Sequence, residues 1–244
     1  MSVPPWVVWR NRGAKRARTA REEFGLEAAA PLDCLLGIVD ERAELPVVIG
    51  RLRADVDGAC TDVAGGRMLW VNSQQALVRQ RFTLAHELGH VRVPHDGAMI
   101  LDTYETLAGR STDQREVEAN AFAAEFLIPK VTMEELEPEP DLDGLVTVAA
   151  RFGTSASMTL YRFSGCKRIS VGRLEELKAQ IEADEHHAAH KRLELMAIDD
   201  RLAGLEFGGS YVSGSLDGTH LAAAVRGEAA MTPELAVAVR GLLT

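Results

Sequence analysis

Cysteine is scarce in this 244-residue chain: Cys34, Cys60 and Cys166 are odd in number, far apart and never in a CxxC pair. Neither a disulfide framework nor a thiolate zinc site can organise such a fold, and the three read as small buried hydrophobes. An excess of positive charge is also missing, since 27 Lys and Arg against 36 Asp and Glu leave a formal charge of -9. Nucleic-acid affinity rests on clustered cations that release counterions, so direct nucleic-acid binding is not expected. No apolar run approaches the ~20 residues of a membrane helix. The N-terminus shows neither the apolar core nor the cleavage site of a secretory signal, and a cytoplasmic protein is expected. No internal repeat is visible.

What is present suits a globular protein, with 46% hydrophobic and 26% charged residues. One basic cluster stands out near the start, where Arg10, Arg12, Lys15, Arg16, Arg18 and Arg21 follow Trp6 and Trp9 before Glu22 and Glu23 reverse the sign. It reads as the solvated face of a helix, with a polyanion- or partner-binding arm as the alternative.

Pattern divides the chain into a basic segment at 1–29, a core at 30–130, an acidic linker with a helical unit at 131–170, and an extension of unknown role at 171–244. Strand-like runs around Pro46 to Ile49, Gly58 to Val63 and Arg67 to Asn72, with Gly65 and Gly66 between the last two, predict a small sheet with a hairpin. From Ser73 the period becomes helical, and apolar residues on two stripes predict a buried helix that ends at Pro94. A loop with Gly97 and Gly109 follows. A second helix is expected from a Ser111 to Gln114 capping box to just before Pro129. After the acidic, proline-rich stretch from Glu134 to Asp141, Leu145 to Phe163 reads as two short helices meeting at Gly153. A long charged helix from Val171 to Leu205, a Gly/Ser-rich segment at 208–218 and a last helix opened by Thr232 and Pro233 complete the reading. The fold class is therefore α+β: a small, mostly antiparallel sheet on two site-bearing helices, then a helical unit and a C-terminal α/β extension.

The chemistry is concentrated in His86-Glu87-Leu88-Gly89-His90. Histidines four apart on a helix share a face, so both imidazoles can hold one ion, and zinc accepts such ligands with a third protein donor and an open position. Glu87 is placed to take a proton from water at that position. Gly89 costs ~1 kcal/mol relative to Ala in a helix interior, which implies that another backbone or a substrate approaches there. For the third ligand the second helix offers Glu116, which shares a face with Ala119, Asn120 and Ala123. Glu118, some 160 degrees away around a helix, is the rival. Asn120 could accept from the free ring nitrogen of a ligand histidine and fix its tautomer. Asp96 sits where a metzincin places its third ligand, but Val93 stands where that arrangement needs glycine. His186, His187 and His190 lie among charges, as on a solvated helix face. His95 is near the site without an assigned role.

These residues resemble the ImmA/IrrE metallopeptidases. The likeness rests on Arg81-Phe82-Thr83-Leu84-Ala85-His86-Glu87-Leu88-Gly89-His90, on Glu116 to Ala124 followed by Leu127-Ile128-Pro129, on Val71-Asn72, and on Ala150 to Ser155 leading to Arg162. It implies one zinc per chain held by His86, His90 and Glu116 in a gluzincin-like site. It also implies a site-specific endopeptidase that cleaves a helix-turn-helix repressor in stress response or mobile-element control. The segment from Leu145 to Phe163 resembles the family's helix-turn-helix-like unit; with only Arg151 and Arg162 as basic residues, it is expected to support the core or dock protein. The alternative function is a DNA- or protein-binding regulator that keeps a metal site without turnover. The sheet edge for an extended substrate is expected at Arg67 to Asn72, with specificity from docking outside the cleft.

Overall fold

The computed structural model describes residues 3–63, 66–95, 99–107, 109, 111–183, 200–216, 219–225 and 242. The long helix expected over 171–205 is described only as α9 (Val171–Ala183) and α10 (Asp200–Ala203). Asp96, the His186 to His190 cluster and the helix expected at Thr232 lie outside the described residues.

The architecture is α+β. Five strands, β1 (Val47–Gly50), β2 (Gly58–Val63), β3 (Gly66–Asn72), β4 (Met99–Asp102) and β5 (Tyr211–Val212), form a sheet in the order β4-β2-β3-β1-β5. Only the β1–β3 pairing is parallel. Side chains alternate between two apolar faces. Val47, Ile49, Cys60, Leu69 and Val71 enter the main core, whereas Val48, Ala59, Met68 and Trp70 enter a second one. Val212, Leu221, Ala222 and Leu242 from the C-terminal region cover that second core.

Three corrections concern the sheet. The stretch expected as a loop after Pro94 contains β4, and the Gly/Ser-rich segment contains β5, whose pairing with β1 is secured by Ser213 N donating to the Val47 carbonyl (3.0 Å). Arg67 to Asn72 is therefore not an edge, because β3 is flanked by β2 and β1 and the edges are β4 and β5.

The main core lies between the sheet and α1 (Pro5–Glu23), α3 (Leu77–Arg92) and α5 (Gln114–Leu127), with the short α2 (Leu35–Gly37) and α4 (Tyr104–Leu107) between them in sequence. Helix α3 stops at Val93 before Pro94, as the proline requires. Helix α5 begins two residues later than the sequence pattern: Asp113 caps it by accepting from Arg115 N, and Ser111 Oγ instead accepts from Asp113 N. Gly89 allows the close approach, for a Cβ there would stand 3.2 Å from the Ala119 Cα; the neighbour is backbone of α5. On the far side of α5, Gly13 of α1 lies so near the Glu118 carbonyl that a Cβ would reach within 2.1 Å.

The basic cluster of α1 is neither a free arm nor a purely solvated face. Arg12 and Arg18 pair with Glu118 and Glu125, and buried Arg21 donates to the carbonyls of Phe126, Glu27 and Ala30. Beyond α5 come α6 (Lys130–Glu135), α7 (Leu142–Phe152) and α8 (Ala156–Gly165). Gly153, at φ 64, makes the left-handed turn after α7, and the buried Arg81 guanidinium donates to its carbonyl and to that of Leu32. Arg162 is drawn inward to Glu125 and the Ile128 carbonyl, leaving Arg151 as the exposed cation of this helical pair. Among the described residues no helix is long and apolar enough to cross a membrane.

Candidate metal centre

Helix α3 supplies His86, Glu87 and His90, α5 supplies Glu116 and Asn120, and β4 supplies Asp102, a residue that the sequence pattern did not single out. One donor atom each from His86, His90, Asp102 and Glu116 lies within 4.8 Å of the others. His86 Nε2 is 2.9 Å from His90 Nε2, 3.5 Å from Asp102 Oδ2 and 3.3 Å from Glu116 Oε2. His90 Nε2 is 3.4 Å from Asp102 Oδ2 and 3.8 Å from Glu116 Oε1. A tetrahedral zinc with arms of ~2.0–2.1 Å would space its ligands roughly 3.3–3.4 Å apart, so the set has the size of a single coordination sphere.

Tautomers follow from the outer partners. The Asn120 amide nitrogen donates to the Thr106 carbonyl (2.8 Å), which turns its oxygen to His86 Nδ1 at 3.1 Å. That oxygen can only accept, so His86 carries a proton on Nδ1 and turns Nε2 to the centre as the nitrogen an ion would take. The other histidine is oriented through a longer chain. Glu118 Oε1 accepts from Arg12 (3.3 Å) and Gln114 (2.9 Å), and its Oε2 serves as the acceptor for His95 Nε2 at 2.9 Å. His95 Nδ1 must then accept from His90 Nδ1 at 2.8 Å, leaving the His90 Nε2 lone pair free. Two ring nitrogens facing each other at 2.9 Å need a cation between them, a proton or a metal ion, and two carboxylates border the same point. Glu118, the rival ligand, stands outside the cluster and serves His95.

The centre is sealed: His86, Glu87 and Asp102 are 0% exposed, His90 1% and Glu116 6%. Among the described residues, neither oxygen of Glu87 or Asp102, nor Glu116 Oε2, has a hydrogen-bond partner. Buried carboxylate oxygens without donors are costly, and a divalent ion removes that cost at Asp102 and Glu116. Glu87 lies against β2, where a Cβ at Gly58 would come within 2.6 Å of Oε1; glycine is what lets α3 settle there.

Without an ion, burial raises Glu87 well above the usual carboxylate range, helped by Asp102. Burial also pushes His86 towards neutrality, but Asp102 and Glu116 outweigh it and raise the imidazole to about 9. His90 goes the other way, lowered by burial and by charged His86 despite the pull of Asp102. For Asp102, burial opposes ionisation, yet the two imidazoles hold its carboxyl well below its ordinary value.

This geometry agrees with relationships in sequence. A radiation response metalloprotease IrrE of Deinococcus radiodurans is 34% identical over 97 residues, covering 38% of this chain and 30% of that protein. The protein of the same name from Deinococcus deserti is 33% identical over 97 residues, covering 38% of this chain and 34% of its own length. The similarity thus spans about a third of these curated relatives. The IrrE N-terminal-like domain matches residues 36–164, which hold both site helices, β4 and the α7–α8 pair. With more than half of its length in that match, the chain belongs to the family of the IrrE N-terminal-like domain.

Proposed function

We propose that this chain is a zinc-dependent, site-specific endopeptidase of the cytoplasm that cuts a helix-turn-helix transcriptional repressor. The observation that carries the reading is the convergence of His86 Nε2 and His90 Nε2 beside Glu116, with the Glu87 carboxylate, which has no hydrogen-bond partner among the described residues, next to them. His86, His90 and Glu116 would hold the ion, and Asn120 would keep His86 oriented. When bound, zinc supplies Lewis acidity, lowering the pKa of water to ~7 and polarising a carbonyl. Glu87 takes the proton of the attacking water on its carboxylate and returns it to the leaving amine.

The repressor substrate is what the resemblance to the ImmA/IrrE metallopeptidases implies, and the relatives' printed names, radiation response metalloprotease, support a protease acting in a stress response. We assign substrate docking to the helical pair α7–α8, where Arg151 is exposed and Tyr161 is 57% exposed. A competing reading, a regulator with a metal site but no turnover, draws on the four protein donors around a sealed centre. Metal analysis and cleavage together decide between them. Purified protein should carry about one zinc per chain, lost in His86→Ala, His90→Ala and Glu116→Ala. Glu87→Gln should keep the zinc and the fold while cleavage of candidate repressors, mapped by mass spectrometry with and without chelator, falls by orders of magnitude. Full cleavage by Glu87→Gln would remove it as the base; no cleavage by zinc-loaded wild type across the repressors would favour the regulator.

A further inference from the structure

Asp102 has no part in the three-ligand reading, yet the fold drives it into the centre. Along β4, Ile100 and Asp102 point to the inner face, while Leu101 between them points outward and is 39% exposed. The backbone at Asp102 is fixed by its register opposite Gly58 and by Asp57 N donating to its carbonyl at 2.7 Å. The side chain therefore enters the cluster because the strand puts it there, and among the described residues neither of its oxygens has a hydrogen-bond donor. Oδ2 is almost equidistant from the two histidines, at 3.5 and 3.4 Å, on the same scale as Glu116. Four protein donors at tetrahedral spacing saturate zinc, as in structural sites, whereas a catalytic site keeps one position open.

We propose that Asp102 is a fourth protein ligand of the resting metal centre, occupying the position that the attacking water needs, so that the enzyme becomes active only when this carboxylate swings away. The inference rests on the peptidase reading above, and it accounts for a centre that is fully buried although a polypeptide must reach it. Asp102 sits on an edge strand: among the described residues β4 has β2 as its one strand neighbour, while α3 and α5 are held in the core. Regulation then resides in the first coordination shell, and whatever displaces β4 by a side-chain rotation opens the site.

The test uses the full chain loaded with Co2+, whose visible absorption reports the number and kind of ligands, and acetohydroxamate as a small chelating probe for an open position. The wild type should show a four-coordinate spectrum that acetohydroxamate leaves unchanged at concentrations that shift the spectra of Asp102→Asn and Asp102→Ala. The Ala variant should bind Co2+ about tenfold more weakly or worse, as loss of one ligand among several requires. The Asn variant retains the shape of the side chain, and circular dichroism on both separates a folding defect from a ligand effect. Equal acetohydroxamate affinity in wild type and variants, or undiminished Co2+ affinity in Asp102→Ala, would overturn the role of Asp102 while leaving the three-ligand peptidase intact. Absence of the Co2+ spectrum in the wild type, or its persistence in His86→Ala, would overturn the peptidase reading and this inference with it.

Discussion

The two histidines of α3 present the same ring nitrogen to the same point, but their supports differ in kind. His86 rests on Asn120, a neutral amide of the neighbouring helix that is locked by one carbonyl. His90 rests on His95, then Glu118, then Arg12 of α1, so its orientation depends on a charged chain ending in a third helix. An amide keeps its orientation at any pH. A carboxylate chain works only while each member holds its proton on the required side, and it ties one ligand to the packing of α1. The electrostatics diverge as well: His86 is raised to about 9 while His90 is lowered.

That asymmetry can be broken in four ways. The largest effect should come from pH. Below about 9 the metal-free His86 holds a proton that an ion must displace, so binding weakens as pH falls. His90, lowered, adds no such proton near neutrality. The histidine share should be about tenfold in affinity per pH unit between 9 and 6, flattening above 9, as measured by chelator competition. Next comes Glu118→Ala, which leaves His95 and Gln114 without their acceptor. We expect metal affinity to fall roughly 10–100-fold and stability to drop about 1–3 kcal/mol in urea unfolding. Asn120→Ala removes one neutral contact and should cost roughly tenfold in affinity with a smaller stability change. Smallest is Arg12→Ala: its side chain is 47% exposed, so about 1 kcal/mol or less and little change in metal content are expected. If Arg12→Ala weakened metal binding as much as Glu118→Ala, the chain would depend on its far end and the support of His90 would be less local than drawn here.

Much of this arrangement was legible from spacing. His86 and His90 share a face because they are four apart on a helix, and Glu116 and Asn120 share another for the same reason. Strands β1 to β3 carried enough β-rich residues around glycines to be seen. Asp102 was not visible, because β4 is four residues long and its acid reaches the centre through pairing with Gly58, some 44 positions away by number. The apolar triplet Met99-Ile100-Leu101 ending in an acid was a signal, but it carried no register. Strand β5 has two residues and exists only through β1. Glu118 looked like a misplaced ligand because helix geometry shows where a side chain points and not which groups another segment will bring to it. The partners of the α1 arginines were hidden for the same reason.

The sheet's second core has a practical consequence for anyone who wishes to transplant this chemistry. The stretch that matches the family, residues 36–164, holds the metal-site residues His86, Glu87, His90, Asp102 and Glu116, yet excludes β5, Leu221, Ala222 and Leu242, which shield Trp70 and Met68. It equally excludes α1, whose Ala17 and Ala20 are wholly buried in the main core. Cut out and fused to another protein, it would carry an unpaired β1 edge and a naked apolar sheet face, the conditions under which strands recruit strangers. The coordination chemistry is local, but the cassette that can be moved is nearly the whole polypeptide.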